Sequence, residues 1–124
     1  MKIYVTHSKK WEYETKLYEP IKKSKLGKQH EWIFPHDEKQ KNIHSKELIA
    51  TSDLILAEVS LPATGMGIEL GWAEDRNVPI LCISEKDYPI TNALKFITSY
   101  FITYENSEDM IQKIADFLKE RERS

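Results

Sequence analysis

The sequence predicts an α/β protein, a three-layer α/β/α sandwich built on a five-stranded parallel sheet. Two observations carry this prediction. Short and almost continuously apolar runs, the clearest at residues 53–59 and 79–83, are typical of parallel strands covered on both faces. Segments with apolar residues at helical spacing lie between such runs, so strands and helices alternate along the chain. Right-handed crossovers then give the flavodoxin-like or Rossmann-like strand order 2-1-3-4-5.

The individual elements follow from local patterns. Five runs are predicted as strands: 2–6, 31–34, 53–59, 79–83 and 100–104. Five segments have helical spacing: 11–25 with a kink or break at Pro20, 43–52, the stretch from about Gly65 to 73, a short one at 90–97, and the C-terminal segment from Ser107. The polar stretch 36–42 is predicted as a surface loop. Because 124 residues without repeats or linkers suit a single core, we expect one domain over 1–124.

The composition excludes several classes of function. Eighteen basic and 20 acidic side chains give a net charge of −2, which provides no general attraction to polymeric nucleic acid or to an anionic membrane. The single cysteine, Cys82, excludes an internal disulfide and a cysteine-rich zinc site, and the four histidines lack metal-ligand spacing. No apolar run approaches the roughly 20 residues that span a bilayer, and residues 1–6 are too short for a signal-peptide core. We therefore expect a cytoplasmic protein without a metal.

A ligand is expected beyond the carboxyl ends of strands 1 and 3, where the strand order reverses. The loop after strand 3 holds three of the four glycines of the chain, Gly65, Gly67 and Gly71. Gly65 and Gly67 would let backbone amides approach a ligand at a helix N-terminus, where unpaired N–H groups favour anions. The Gly-x-Gly-x-x-x-Gly spacing is one residue longer than the dinucleotide fingerprint, and no acidic ribose-binding residue follows it, so an NAD site is not expected.

Glu69 lies directly after this glycine turn, and the pattern predicts it in the first turn of the helix. There the helix dipole would stabilise its anionic form, which suits nucleophilic attack at the mouth of a pocket. On spacing alone, the alternative is that Glu69 only caps the helix. His7 follows strand 1 and is predicted near the same pocket mouth.

The block at 53–73 reads Asp-Leu-Ile-Leu-Ala-Glu-Val-Ser, then Gly-Met-Gly-Ile-Glu-Leu-Gly-Trp-Ala. It resembles the signature of the nucleoside 2-deoxyribosyltransferase superfamily, and within it the 2′-deoxynucleoside 5′-monophosphate N-glycosidases. The resemblance extends to 2–8 and 79–83. It implies an enzyme without a cofactor that cleaves or transfers the N-glycosidic bond of a 2′-deoxyribonucleoside or its 5′-monophosphate through a covalent ester on Glu69. The alternative is a catalytically weak nucleotide-binding or sensing module of the same fold.

The resemblance also implies roles for other residues. Tyr4 corresponds to a tyrosine that orients the nucleophile or contacts the sugar, and Ser8 to a segment that contacts sugar or phosphate. The turn at Gly65 and Gly67 would frame the phosphate or 5′-hydroxyl end. Asn92 falls where a neighbouring subunit completes the site, so a homodimer or a higher homo-oligomer is implied.

One departure from the family pattern concerns the leaving group. The family places an aspartate about eight residues before the aspartate of strand 3, where it assists protonation of the leaving group or binding of the sugar. That position holds Ser45, which cannot supply a proton in this way. His36, Asp37 or His44, in the polar stretch before it, could take its place if the loop folds over the pocket, and we name Asp37 and His44 as candidate acids.

The second departure concerns the phosphate. Ala63 stands where the N-glycosidases carry a phosphate-contacting serine, and Thr64 is the nearest hydroxyl. Lys9 and Lys10 occupy the loop where the relatives carry a basic residue, which partly restores the case for a phosphate. The sequence leaves open which base is cleaved, whether the substrate is a nucleoside or a nucleotide, and whether the reaction is hydrolysis or transfer.

Overall fold

A five-stranded, all-parallel sheet forms the middle layer of the computed structural model, which describes residues 1–37 and 44–123. The strands lie in the order β2-β1-β3-β4-β5, as the sequence predicts. Their bounds are β1 (Lys2–His7), β2 (Glu31–Ile33), β3 (Leu54–Glu58), β4 (Ile80–Glu85) and β5 (Tyr100–Tyr104). The predicted fold class and strand order are confirmed.

Helices cover both faces of the sheet. They are α1 (Glu19–Lys23), α2 (Leu26–Gln29), α3 (Ser45–Ala50), α4 (Thr64–Asp75) and α5 (Ser107–Arg123), with a π-helical turn at Glu14–Tyr18 and a 3₁₀ turn at Asn92–Phe96. The helix predicted over 11–25 does not break at Pro20, because the backbone stays helical from Glu14 to Lys23. The π-helical turn lies directly before this proline, and the chain becomes extended only at Ser24.

β1 separates two buried clusters because its side chains alternate between the faces of the sheet. Ile3 and Val5 pack with α1, α2 and α5, whereas Tyr4 packs with α3 and α4. Every residue of β3 is buried, as its continuous apolar run predicts. This arrangement places the carboxyl ends of β1 and β3 side by side, with α4 starting just beyond them.

Several element boundaries differ from the predicted ones. Helix α3 begins at Ser45 after an extended His44, while residue 43, where the predicted helix starts, lies outside the described residues, and β4 continues to Glu85. Helix α4 begins at Thr64, because Ala63 before it is still extended at φ −154° and ψ 138°. Most of the loop predicted at 36–42 lies outside the described residues, although residues 36 and 37 form a turn after β2.

None of the helices within residues 1–37 and 44–123 has the length and apolar character needed to cross a membrane. The same residues contain no group of three or more histidine, cysteine, aspartate or glutamate side chains that could hold a metal ion.

Candidate active site

The carboxylate of Glu69 is held by two hydroxyl groups of β1. The Tyr4 hydroxyl donates a hydrogen bond to Oε2 of Glu69, and Thr6 Oγ1 donates to Oε1 over 2.8 Å. Tyr4 and Thr6 face the same side of the sheet because they are two residues apart on a strand. The structure thus brings together Tyr4 and Glu69, as the resemblance implies. Thr6 was missed at the sequence level, although the period of two from Tyr4 could have found it.

The position of Glu69 on its helix corrects the sequence prediction. Because α4 begins at Thr64, Glu69 lies in its second turn, and the first turn contains no acidic residue. No side chain caps the helix, and the N-cap residue is Ala63, so the capping alternative is also wrong. The effect of a helix dipole falls off beyond the first turn, so the two hydroxyl donors are the main groups that stabilise this carboxylate.

Tyr4 is fully buried, and its phenol keeps its proton and donates it in the hydrogen bond to Glu69. Burial, together with the hydrogen bond to Glu69 and the charge of that carboxylate, raises the pKa of Tyr4 far above its usual value. The Ser45 side chain, at the start of α3, acts on the same phenol and opposes the rise in its pKa. Ser45 therefore belongs to the surroundings of the Tyr4–Glu69 pair even though it carries no ionisable group.

His7 forms part of the wall of the site. Its Nδ1 lies 2.9 Å from the Ser8 carbonyl oxygen, which only accepts, so Nδ1 carries the proton. Its Nε2 then accepts from the Tyr18 hydroxyl over 2.7 Å. The Tyr13 ring stacks on the imidazole with 4.2 Å between ring centroids. Burial lowers the pKa of His7 to about 4, so the imidazole is neutral near pH 7 and both of its nitrogens are engaged.

A cavity of about 460 Å³ lies between the end of β1 and the start of α4. Its lining combines the predicted binding residues with their neighbours: His7, Ser8, Lys9, Lys10, Pro62, Ala63, Thr64, Gly65 and Met66. The uncapped first turn of α4 contributes backbone N–H groups to this wall, and such groups favour anions. Gly67 does not line this cavity and instead borders a smaller apolar one of about 130 Å³ beside Leu94.

The glycines of this turn are not required by packing within the chain. A Cβ placed on Gly65 or Gly67 would meet no protein atom within 4 Å, and neither residue has a positive φ. The side of α4 where they lie is therefore open and leaves room for another molecule to approach the backbone.

A larger cavity, of about 580 Å³, lies elsewhere. It is a wide groove between α1 and α5, lined by Pro20, Lys23 and Ile111 among others. None of its lining residues lies at the carboxyl ends of β1 or β3. Cavity size alone would therefore point away from Glu69, and the hydrogen-bonded carboxylate is the stronger guide to the site.

The two candidate acids, Asp37 and His44, lie on either side of residues 38–43 in the sequence. Asp37 forms an ion pair with Lys22 over 2.9 Å, and His44 is exposed just before α3. The ring of His36 contacts the ring of His7, with 5.2 Å between the two centroids. Burial and the charge of Lys9 lower the pKa of His36, while the charge of Glu69 opposes them. The assignment of an acid stays a prediction.

Asn92 begins the 3₁₀ turn before β5 and is exposed in the isolated chain. The same turn carries Phe96, whose side chain is 88% exposed. The structure of one chain thus leaves the predicted contribution of Asn92 to a neighbouring subunit as a prediction.

Glu58 has a supporting place on the opposite face of the sheet. It is buried, its Oε1 accepts from the Ser60 backbone N–H over 2.6 Å, and its Oε2 accepts from the Tyr104 hydroxyl. Burial raises the pKa of this carboxyl. These contacts tie the end of β3 to β5 and fix the start of the loop that leads into α4.

No family model matches the sequence. Curated relatives do match: "Putative 2′-deoxynucleoside 5′-phosphate N-hydrolase 1" of Methanosarcina mazei is 27% identical over 85 residues, covering 64% of this chain and 53% of the relative. The 5-hydroxymethyl-dUMP N-hydrolase of Tetraodon nigroviridis is 33% identical over 73 residues, covering 57% of this chain and 49% of that protein. The matches thus span about half of the length of these two relatives.

Solved structures share the fold. The CMP N-glycosidase of Clostridium botulinum superposes with a TM-score of 0.69 at 18% identity, over 93% of this chain and 99% of that one. A conserved protein from Enterococcus faecalis gives a TM-score of 0.61 at 18% identity, over 94% of this chain and 98% of that one. The curated relatives confirm the resemblance to nucleotide N-hydrolases, and the solved structures show that this chain shares its fold with a CMP N-glycosidase.

Proposed function

We propose that this protein hydrolyses the N-glycosidic bond of a 2′-deoxynucleoside 5′-monophosphate, with Glu69 as the nucleophile. One observation carries the proposal. The Glu69 carboxylate is fixed by two hydroxyl donors on β1, and Ser8, Lys9 and Lys10, just beyond that strand, line a 460 Å³ cavity with the start of α4. A fixed carboxylate next to an anion-favouring cavity suits a reaction at C1′ of a sugar that carries a phosphate at its 5′ end.

The reaction proceeds in two steps at C1′ of the sugar. A Glu69 oxygen forms a bond to C1′ while the C1′–N bond breaks. The electron pair of the C1′–N bond leaves with the base, which takes up a proton. The negative carboxylate stabilises the positive charge that develops on the sugar. Water then attacks C1′, releases a proton to solvent, and returns the electron pair to Glu69, so the product retains its configuration.

Two features support a 5′-phosphate rather than a free hydroxyl group. Lys9 and Lys10 are exposed beside the cavity and add positive charge, and the first turn of α4 presents uncapped N–H groups. The open space at Gly65 lets a phosphate approach these N–H groups. The names of the relatives from Methanosarcina and Tetraodon, both N-hydrolases of nucleotides, support the same substrate class and favour hydrolysis over transfer.

We propose that the chain acts as a homodimer through the outer face of α4 and the 3₁₀ turn. Ile68 on α4 is 50% exposed, and Phe96 on the turn is 88% exposed. Exposed apolar side chains of this size favour association. A neighbouring chain on this face would also come near Asn92.

The alternative is a nucleotide-binding or sensing module with weak catalysis. It is favoured by Ser45, because a hydroxyl stands next to Tyr4 where the family carries an aspartate, so an acid for the leaving base is missing from this position. The two functions share the cavity and differ only in whether the bond is cleaved.

The test is to incubate the protein with a panel of deoxynucleosides and their 5′-monophosphates and to measure free base by chromatography. We expect base release by the wild type and its loss in Glu69→Gln. Glu74→Gln, an exposed change on the same helix, is the matched control and should keep full activity. Binding without base release would favour the sensing module, and full activity of Glu69→Gln would exclude this residue as the nucleophile.

A further inference from the structure

The second hydroxyl on Glu69 belongs to Thr6, which the proposed function uses only as a group that holds the carboxylate in place. Thr6 is 2% exposed and lies next to Ala57 of β3 in the sheet. Its Oγ1 donates to Glu69 Oε1 over 2.8 Å, while Tyr4 occupies Oε2. Each carboxylate oxygen therefore has its own donor, and the two donors can have separate tasks.

The donors of the two carboxylate oxygens lie at different positions along β1. Tyr4 lies in the middle of β1 between Ile33 and Ile55 and is fully buried. Thr6 lies two residues nearer the carboxyl end of the strand, directly before His7 and Ser8, which line the cavity. We therefore take Oε1, whose donor is the residue nearer the cavity, as the oxygen that attacks C1′.

We propose that Thr6 is a positioning residue that acts on the release of the sugar from Glu69 rather than on its capture. This inference rests on the proposed function. In the first step Oε1 bonds to C1′ and loses its negative charge, so the hydrogen bond from Thr6 weakens. In the second step water bonds to C1′, the C1′–Oε1 bond breaks, and the electron pair returns to Oε1. The Thr6 hydroxyl stabilises the charge that reappears there.

The two steps therefore respond differently to the loss of this hydroxyl. Without the Thr6 hydroxyl, the Glu69 carboxylate is at least as strong a nucleophile as in the wild type, because no hydrogen bond has to weaken during the attack. The same carboxylate becomes a poorer leaving group, because no hydroxyl stabilises the negative charge that returns to Oε1 when the C1′–Oε1 bond breaks. A hydrogen bond to a charged group is strong enough that its loss changes the rate of a step by about 10-fold or more.

The experiment compares Thr6→Val, which keeps the shape and removes the hydroxyl, with Thr6→Ser, which keeps the hydroxyl. Base release from the 5′-monophosphate that the wild type cleaves is followed by rapid quench, and the quenched protein is examined by mass spectrometry. For Thr6→Val we expect a burst of one base per active site, a steady rate lowered about 10-fold, and a sugar-phosphate adduct on Glu69. Thr6→Ser should behave like the wild type.

Three results would overturn the proposal: an unchanged steady rate in Thr6→Val, a burst phase slowed as much as the steady rate, or a serine variant as slow as the valine variant. Thr6→Ala provides a second hydroxyl-free variant if Thr6→Val does not fold. Absence of base release by the wild type would instead overturn the proposed function, and this inference with it. If the wild type releases base and Thr6→Val has the kinetics of the wild type, the proposed function stands and only the role of Thr6 is excluded.

Discussion

The Tyr18 hydroxyl donates to Nε2 of His7 over 2.7 Å, inside a buried setting that keeps the imidazole neutral against the opposing effect of its Nδ1 bond to the Ser8 carbonyl. The His7 pKa of about 4 lies below the ordinary value of 6.5. The unfolded chain therefore binds a proton between pH 6.5 and 4 that the folded chain does not. Stability is full above pH 6.5 and falls as the pH is lowered through this window, by up to about 3 kcal/mol for this group.

We expect the melting temperature to fall on acidification from pH 7 to 5 and to fall less in His7→Gln. The exposed His44 is the matched control, and His44→Gln should keep the slope of the wild type. Burial also lowers the pKa of His30 and His36, so part of the fall will remain in His7→Gln. An identical pH dependence in His7→Gln and the wild type would show that His7 does not contribute.

Tyr4→Phe should lower kcat by about 10-fold or more with little change in KM, because Oε2 of Glu69 loses its buried donor. The measurement is steady-state base release from the preferred 5′-monophosphate. Tyr100→Phe, a change at an exposed tyrosine of β5, is the control and should leave both constants unchanged. A rise in KM at constant kcat would instead assign Tyr4 to substrate binding.

Replacing Lys9 and Lys10 together by alanine should raise KM for a 5′-monophosphate by about 10-fold and leave cleavage of the matching nucleoside unchanged. Both lysines are exposed beside the cavity, so the effect should shrink at high salt. Lys119→Ala, an exposed change on α5, is the control. Equal losses for nucleotide and nucleoside would argue against a phosphate at this end of the cavity.

Phe96→Glu should convert the proposed homodimer into a monomer. Its side chain is 88% exposed, and a charge placed there would have to be buried in the interface. Light scattering coupled to size-exclusion chromatography should give twice the chain mass of 14.6 kDa for the wild type and the chain mass for the variant. Lys119→Glu should stay dimeric, and a monomeric wild type would exclude the dimer.

The sheet could be predicted closely because a parallel strand covered on both faces has a short, nearly continuous apolar run in the sequence. β3 lies within one residue of its predicted ends, since a buried strand needs an apolar residue at nearly every position. The boundaries of the edge strand β5 are those predicted from its aromatic and β-branched residues. The helices before β2 were harder to predict. The π-helical turn at Glu14–Tyr18 has the same apolar spacing as an ordinary helix, and the chain does not break at Pro20.

The site was predictable where a short motif carries it and not where distant segments meet. Tyr4 and Glu69 were identified through the resemblance, and the structure joins them by a hydrogen bond. The partner of His7 could not be foreseen, because Tyr18 lies 11 residues away on a turn of unpredicted geometry. Nor could Glu69 be placed in the correct turn, because the start of α4 depends on the backbone of Ala63.

The alternation along β1 has a consequence for how this protein can change during evolution. Tyr4 and Thr6 reach Glu69 from one face, while Ile3 and Val5 fill the core on the other. Insertion or deletion of one residue within this strand would exchange the two faces, exposing the nucleophile to aliphatic groups and the core to hydroxyls. Length changes should therefore be far less tolerated in β1 than in the connection at residues 86–91, between β4 and the 3₁₀ turn, whereas single substitutions in β1 can alter catalysis while leaving the sheet intact.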